Sequence, residues 1–190
     1  MISYELAMGM SIIAVIMTTG SLSLGNMVTG QSGWHGMAWN VVLQPLGFLI
    51  FLICAFAETN RTPFDLPESE TELIGGYHTE YSSMKLGFYL FAEYINMFLS
   101  SAVISCLYFG GYNFPFMDIV QQNTGEILFA FICFLVLMTK ILFFIFFFFW
   151  VRWTIPRFRF DQLMNLGWKI LLPLSIINML ITGTIILLNQ

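Results

Sequence analysis

Residues 127–151 read Ile127-Leu-Phe-Ala-Phe-Ile-Cys133-Phe-Leu-Val-Leu-Met-Thr-Lys140-Ile-Leu-Phe-Phe-Ile-Phe-Phe-Phe-Phe-Trp150-Val151. A single charge, Lys140, interrupts the apolar run. Wound as an α-helix at about 1.5 Å per residue, the stretch is long enough for a hydrocarbon layer of about 30 Å. The rest of the chain follows suit. Of 190 residues 58% are hydrophobic and 9% charged, and 21 are Phe. A soluble domain carries about a quarter charged residues, so that class is excluded. The short alternating segments of a membrane barrel are missing, and backbone polar groups in lipid must be satisfied internally. The expected fold is all-α: a polytopic transmembrane helix bundle forming a single membrane domain over 1–190.

Working outward from that run, five crossings are expected, at about 2–24, 39–57, 84–109, 127–151 and 163–188. The first is rich in hydroxyl residues (Ser11, Thr18, Thr19, Ser21, Ser23), which suit close packing inside a bundle. Residues 25–38 are expected to form a Gly-rich loop containing His35. Pro45 is expected to kink the second crossing, since it lacks an N–H and its ring crowds the preceding turn. An odd number of crossings puts Arg61, Arg152, Arg157 and Arg159 on one face and leaves the other without Lys or Arg in its loops. The positive-inside rule turns the first face to the cytoplasm, or to the matrix of a mitochondrion. No removable targeting peptide is recognised at the N-terminus. Heavy use of Phe, Ile, Leu and Met is compatible with synthesis inside an organelle.

The two loops of the positive face differ in charge. Loop 152–162 is basic, whereas 58–83 holds Glu58, Asp65, Glu68, Glu70, Glu72 and Glu80 against the one arginine, Arg61. Asp65 and Glu68 fit a capped helix start with Pro67 in its first turn. Capping leaves Glu58, Glu70, Glu72 and Glu80 unexplained. Crowded carboxylates raise one another's pKa, which makes protons exchangeable near neutral pH; a solvated acidic loop is the plain alternative.

Within the membrane, Tyr89, Glu93, Asn96 and Ser100 share one face of the third crossing. Intramembrane charges are costly and default to functional candidates. Counted from the positive face, Glu93 and Lys140 lie at similar depth, so an electrostatic pair between them is expected; it serves either coupling or mere helix location. Lys169 can snorkel to the interface. Glu5 is either a boundary residue or an extension of the acidic line. The cysteines Cys54, Cys106 and Cys133 are scattered, with no metal-ligand spacing, so no metal site is expected. His35 and His78 fall on opposite faces, which leaves haem ligation unsupported. No nucleotide-binding glycine motif and no nucleophile constellation occur, so this chain is not expected to hold a redox centre or to bind nucleic acid.

The stretch Ala57-Glu58-Thr-Asn-Arg61-Thr-Pro63-Phe64-Asp65-Leu-Pro67-Glu68-Ser-Glu70-Thr-Glu72-Leu resembles the subunit 1 family of NADH dehydrogenases, the quinone-site membrane subunits of respiratory complex I. The likeness continues through Gly76-Tyr77-His78-Thr-Glu80-Tyr81, Ala92-Glu93-Tyr94, Pro156-Arg157-Phe158-Arg159-Phe160-Asp161-Gln162 and Gly167-Trp168-Lys169. That family has eight crossings, of which this chain resembles the last five. The resemblance implies a divided, mitochondrially encoded subunit whose front is supplied by a companion chain. It further implies ubiquinone as substrate, with NADH, FMN and iron–sulfur clusters held by partner subunits. The partners implied are the peripheral-arm quinone-site and terminal iron–sulfur subunits, neighbouring complex I membrane subunits and the lipid bilayer. By motif, Arg61, Phe64, Asp65, Arg157, Arg159 and Asp161 match the quinone chamber. Glu58, Glu68, Glu70, Glu72, Glu80 and Glu93 match the carboxylate path that couples quinone reduction to proton translocation, and Glu5 and Lys140 are added to it by position. A secondary ion transporter, with an acidic mouth and a Glu93–Lys140 site, and a purely structural membrane subunit are the alternatives.

Overall fold

In the computed structural model, residues 2–36, 38–65, 74–81, 83–115, 117–123 and 125–188 are described. Among them the regular structure is helical. Helix α1 is Ile2–Thr19, α2 Leu24–Gly30, α3 Gly33–Gly36, α4 Asn40–Leu43 and α5 Pro45–Glu58. A 3-10 turn at Gly76–Thr79 precedes α6, Met84–Tyr108. Helix α7 is Met117–Asn123, α8 Glu126–Thr154 and α9 Phe160–Leu188, the last containing a π-helical segment at Leu166–Leu171. Four of these, α1, α6, α8 and α9, are long and apolar enough to cross a membrane, and α5 is a shorter apolar helix. The Gly-rich stretch 25–38, expected as loop, is largely wound into α2 and α3.

Helix α1 packs against α5 and α9, and α6 against α8. The first contact follows from small residues: Ser3, Ala7, Ser11 and Ala14, spaced four, four and three apart, are all buried on one face of α1. Backbones approach so closely there that a methyl on Gly167 of α9 would lie 2.7 Å from Ser3 Oγ. Apart from Lys140 and the charges at its ends, helix α8 is apolar all round, yet its buried residues are Ile141, Phe144 and Phe148, a narrow seam. Phe148 meets Phe56 of α5 at a ring separation of 4.2 Å, and Phe144 meets Phe109 at 5.0 Å. Its other aromatics, among them Phe131, Phe134, Phe143 and Phe146, point outward, as lipid-facing side chains do.

The second crossing breaks at Gln44, whose backbone (φ −134°, ψ 65°) separates α4 from α5. Pro45 takes the first position of α5, where a missing N–H costs nothing, so the expected kink is present as a full break.

Helix α6 ends on Gly110 and Gly111, both left-handed (φ 67° and 52°), and the Gly111 N–H returns to Ser105 O at 2.8 Å. The last carbonyls of a helix lack intrahelical partners. Here two amide side chains supply them: Gln31 donates to Cys106 O and Leu107 O, and Asn40 donates to Leu107 O at 2.8 Å. Asn113 returns the tie by donating to Val28 O at 2.6 Å. The loops of this face are thus sewn to the end of α6.

Candidate functional site

Where α5 ends, the chain folds back under the bundle. Arg61, Phe64 and Asp65 are all buried, at 6%, 7% and 3% exposure, although two of them are charged and all lie in a connection. The fold-back is held by main chain: Phe64 N–H donates to Arg61 O at 2.9 Å and Phe158 N–H to Pro63 O at 3.1 Å. Through that second bond the turn after α5 and the connection between α8 and α9 become one surface. The Thr62–Pro63 peptide is cis.

Two ion pairs cross this surface. Arg61 Nη2 lies 3.6 Å from Glu93 Oε2, and its guanidinium stands 4.5 Å above the ring of Tyr94. Arg157 Nη2 lies 3.9 Å from Asp65 Oδ2, with the carboxylate side chain 2% and the guanidinium side chain 37% exposed. A buried charge must be paired to be tolerated, and Arg suits such sites because its planar fork bonds and stacks at once. Arg61 Nε nevertheless has no hydrogen-bond partner among the described residues, nor has Thr62 Oγ1. Next to the pairs, Phe64 packs between Tyr4 (5.9 Å) and Phe158 (5.5 Å). Tyr4 is fixed in turn by donating to Leu163 O at 2.6 Å.

Behind Phe64 lies a cavity of about 270 Å³ lined only by apolar side chains. Leu52, Ile53 and Phe56 of α5 form one wall and Phe147 and Val151 of α8 another, with Pro63, Phe64 and Phe158 at the charged end. An apolar slot of this kind suits a hydrocarbon chain, and the charged groups stand beyond Phe64 and Phe158 without lining it.

The structure therefore brings together five of the residues singled out from sequence: Arg61, Phe64, Asp65, Glu93 and Arg157. Glu58 is close by, its carbonyl accepting from Asn96 Nδ2 at 3.4 Å. Glu5, Glu80, Arg159 and Asp161 are exposed. The Arg159 backbone N–H donates to Gln162 Oε1 at 3.2 Å at the start of α9, and Asp161 occupies the first turn. Glu68, Glu70 and Glu72 lie outside the described residues. Tyr4, Tyr94 and Phe158 join the site without having been singled out. Adjacency to Glu93 is the sequence signal for Tyr94; nothing local marks Tyr4, whose partners are far away in the chain.

One expectation is overturned. Lys140 does not pair with Glu93: its ammonium donates to the carbonyls of Phe109 (2.7 Å), Gly111 (2.8 Å) and Asn113, with the Trp39 ring 5.0 Å away. Counting depth from the positive face assumes that α6 and α8 start level with each other. They are offset, so Lys140 stands beside the turn that follows α6. Phe109 is 16 residues beyond Glu93, or about 24 Å along the helix, out of reach of any side chain. Glu93 sits instead at the level of Glu58 and Arg61, close to the basic connection. Among the described residues no group of His, Cys, Asp and Glu is arranged to hold a metal ion.

Comparison with known proteins bears directly on this arrangement. A family model described as NADH dehydrogenase matches residues 1–183. The chain is 65% identical, over 99% of its length, to an NADH-quinone oxidoreductase subunit of Cytophaga hutchinsonii, of which it covers 54%. It is 65% identical over 98% of its length to an NADH-quinone oxidoreductase subunit of Flavobacterium johnsoniae, covering 53% of that protein. With NADH-quinone oxidoreductase subunit 8 of Rhodothermus marinus the figures are 51% identity, 95% and 54%. The chain thus spans about half the length of the curated relatives it matches. These relatives are bacterial, so the expected placement in a mitochondrial inner membrane finds no support among them. With the family model matching nearly the whole sequence and relatives this similar, the chain belongs to the NADH dehydrogenase family.

Proposed function

We propose that the chain is part of the quinone-site membrane subunit of a proton-translocating NADH-quinone oxidoreductase in a bacterial plasma membrane. The observation that carries this reading is the pair of charged contacts, Arg61–Glu93 and Asp65–Arg157, which stand next to Phe64 and Phe158 at one end of an apolar cavity. The isoprenoid tail of a quinone suits the cavity between α5 and α8, and its head suits the end walled by Phe64 and Phe158. Arg61 Nε is a buried donor with no protein acceptor among the described residues, and a quinone carbonyl oxygen is an acceptor of the right kind.

Reducing a quinone to a quinol takes two electrons and two protons. The electrons come from NADH through flavin and iron–sulfur clusters held by partner subunits. What these residues supply is charge that responds to the reaction. As negative charge develops on the quinone head, Arg61 is drawn toward it and away from Glu93, which raises the proton affinity of Glu93. Glu93 then binds a proton, and the change passes along Glu58, Glu80 and the acids at 68, 70 and 72. The partners this reading requires are the remaining part of the subunit, together with the peripheral-arm and neighbouring membrane subunits. The transporter alternative needs a Glu93–Lys140 site, which the geometry does not form.

The test is Glu93→Gln in the intact complex. Assembly is retained, because an amide still accepts from Arg61. NADH:quinone reductase activity and proton uptake fall about tenfold, equivalent to about 1.4 kcal/mol of barrier. Wild-type rate and pumping stoichiometry in this variant would remove Glu93 from the mechanism.

A further inference from the structure

Inside the bundle, at the break between α4 and α5, three buried polar atoms converge without a hydrogen-bond partner among the described residues. They are Gln44 Oε1, Tyr108 Oη and Asn178 Nδ2, on residues 4%, 0% and 6% exposed. They come from three separate parts of the chain: the break itself, the end of α6 and the middle of α9. What they share is Gly47. A methyl built on this glycine would lie 3.1 Å from Asn178 Nδ2, 3.5 Å from Gln44 Oε1 and 3.7 Å from Tyr108 Oη. The space beside the glycine is therefore ringed by polar atoms.

The orientation of Gln44 is fixed by its other end. Its Nε2 donates to Ala14 O of α1 at 3.1 Å, an interaction only the amide nitrogen can make, so the carbonyl oxygen faces the glycine. Asn178 turns an N–H donor toward the same point, and the Tyr108 hydroxyl can donate there too. Ser11 of α1 lies alongside Tyr108 and spends its own proton on Met8 O at 2.6 Å, so its lone pair competes for the Tyr108 proton; when Ser11 takes it, the phenol oxygen faces the glycine as an acceptor, which a water's second proton satisfies. Two donors and one acceptor gathered at one point beside the glycine are the complement of one water molecule, which accepts twice and donates once or twice. Buried waters typically make about three such bonds to groups that would otherwise be unsatisfied.

We propose that a single water molecule is bound beside Gly47, accepting from Tyr108 and Asn178 and donating to Gln44. It joins α1, α5, α6 and α9 where the second crossing is interrupted. Each polar atom is expensive to leave unpaired in a hydrocarbon interior, and the three cannot reach satisfaction through helix backbone, which is already bonded. The site is independent of the proposed quinone chemistry, since none of its residues belongs to that cluster.

High-resolution electron cryo-microscopy of the intact complex tests this directly. The expected result is a density peak within about 2.6–3.2 Å of Gln44 Oε1, Tyr108 Oη and Asn178 Nδ2. A direct Gln44–Asn178 hydrogen bond with no peak between them would overturn the proposal. X-ray radiolytic labelling of the same complex in isotopically labelled water gives a second readout: Tyr108 is oxidised despite its burial, because the radical forms at the bound water. In Gly47→Ala, whose methyl occupies the site, both the peak and Tyr108 oxidation are lost. Gly87→Ala, where a methyl meets nothing, leaves both unchanged. Persistence of Tyr108 oxidation in Gly47→Ala would also overturn it. If Gly47→Ala does not assemble, the wild-type density decides alone.

Discussion

Arg61 and Arg157 hold the two carboxylates of the site, but under different conditions. The Arg61 side chain is 7% exposed and that of Arg157 is 37% exposed. Exposed ion pairs are screened and contribute little, whereas deleting one partner of a buried pair strands a charge. Deleting Arg157 takes the cation from Asp65, whose side chain is 2% exposed, whereas deleting Arg61 takes it from Glu93, whose side chain is 25% exposed; Arg157→Met should therefore cost about 2–4 kcal/mol of stability and Arg61→Met less. Thermal denaturation of the purified complex, followed by dissociation of this chain, reads the difference; an equal or larger loss in Arg61→Met would mean that burial of the carboxylate left behind does not set the cost. The candidacy of Arg61 and Asp65 is legible by motif, because charged residues beside Pro63 and Phe64 form a recognisable run. Their burial is not legible. A loop full of charge reads as solvated, and the bond from Phe158 N–H to Pro63 O together with the two ion pairs, all made between residues far apart in the chain, turns this one inward.

Helix existence is readable wherever apolar runs are long, and Pro45 announces the break before α5. The relative height of the helices is not readable, because it is set by loop contacts between residues far apart in sequence. Gln31 and Asn113 look like ordinary loop amides and Asn40 like the edge of a crossing, yet each is buried and bonded to main-chain carbonyl groups. Lys140 completes that set by drawing three carbonyls of the turn after α6 onto one ammonium group. A positive charge also suits this place because a helix C-terminus carries a partial negative charge. Replacing Lys140 by Met, similar in length but without donors, leaves the carbonyls of Phe109, Gly111 and Asn113 unsatisfied together. The expected loss is about 2–4 kcal/mol, and hydrogen exchange at residues 109–113 should accelerate. Glu93→Gln should leave exchange there untouched. If instead Glu93→Gln loosens 109–113 as much as Lys140→Met does, the two charges are coupled after all.

The bundle carries its basic connections on one face. Arg61, Arg152, Arg157 and Arg159 all lie near the C-terminal ends of α5 and α8, while on the opposite side the described loops between α1 and α4 and between α6 and α8 contain no Lys or Arg. Lys140 does not alter this asymmetry, since it is held inside by carbonyls and not presented at a surface. Retention of positively charged loops on the cytoplasmic side predicts an orientation in which the site of Arg61 and Asp65 faces the cytoplasm. This is also the orientation in which soluble electron-donating partners reach the charged contacts beside the cavity, so topology and proposed chemistry stand or fall together. Single cysteines separate the alternatives. Leu22, 80% exposed, lies just after α1, and Trp153, 84% exposed, lies at the end of α8, on opposite faces. In intact cells a charged, membrane-impermeant maleimide should label Leu22→Cys and spare Trp153→Cys; in inverted vesicles the pattern should reverse. The native cysteines Cys54, Cys106 and Cys133 are buried or half-buried within helices and give the unlabelled background. Labelling of Trp153→Cys from outside intact cells would turn the charged cluster away from the cytoplasm, and a quinone site fed by soluble partners could not be maintained.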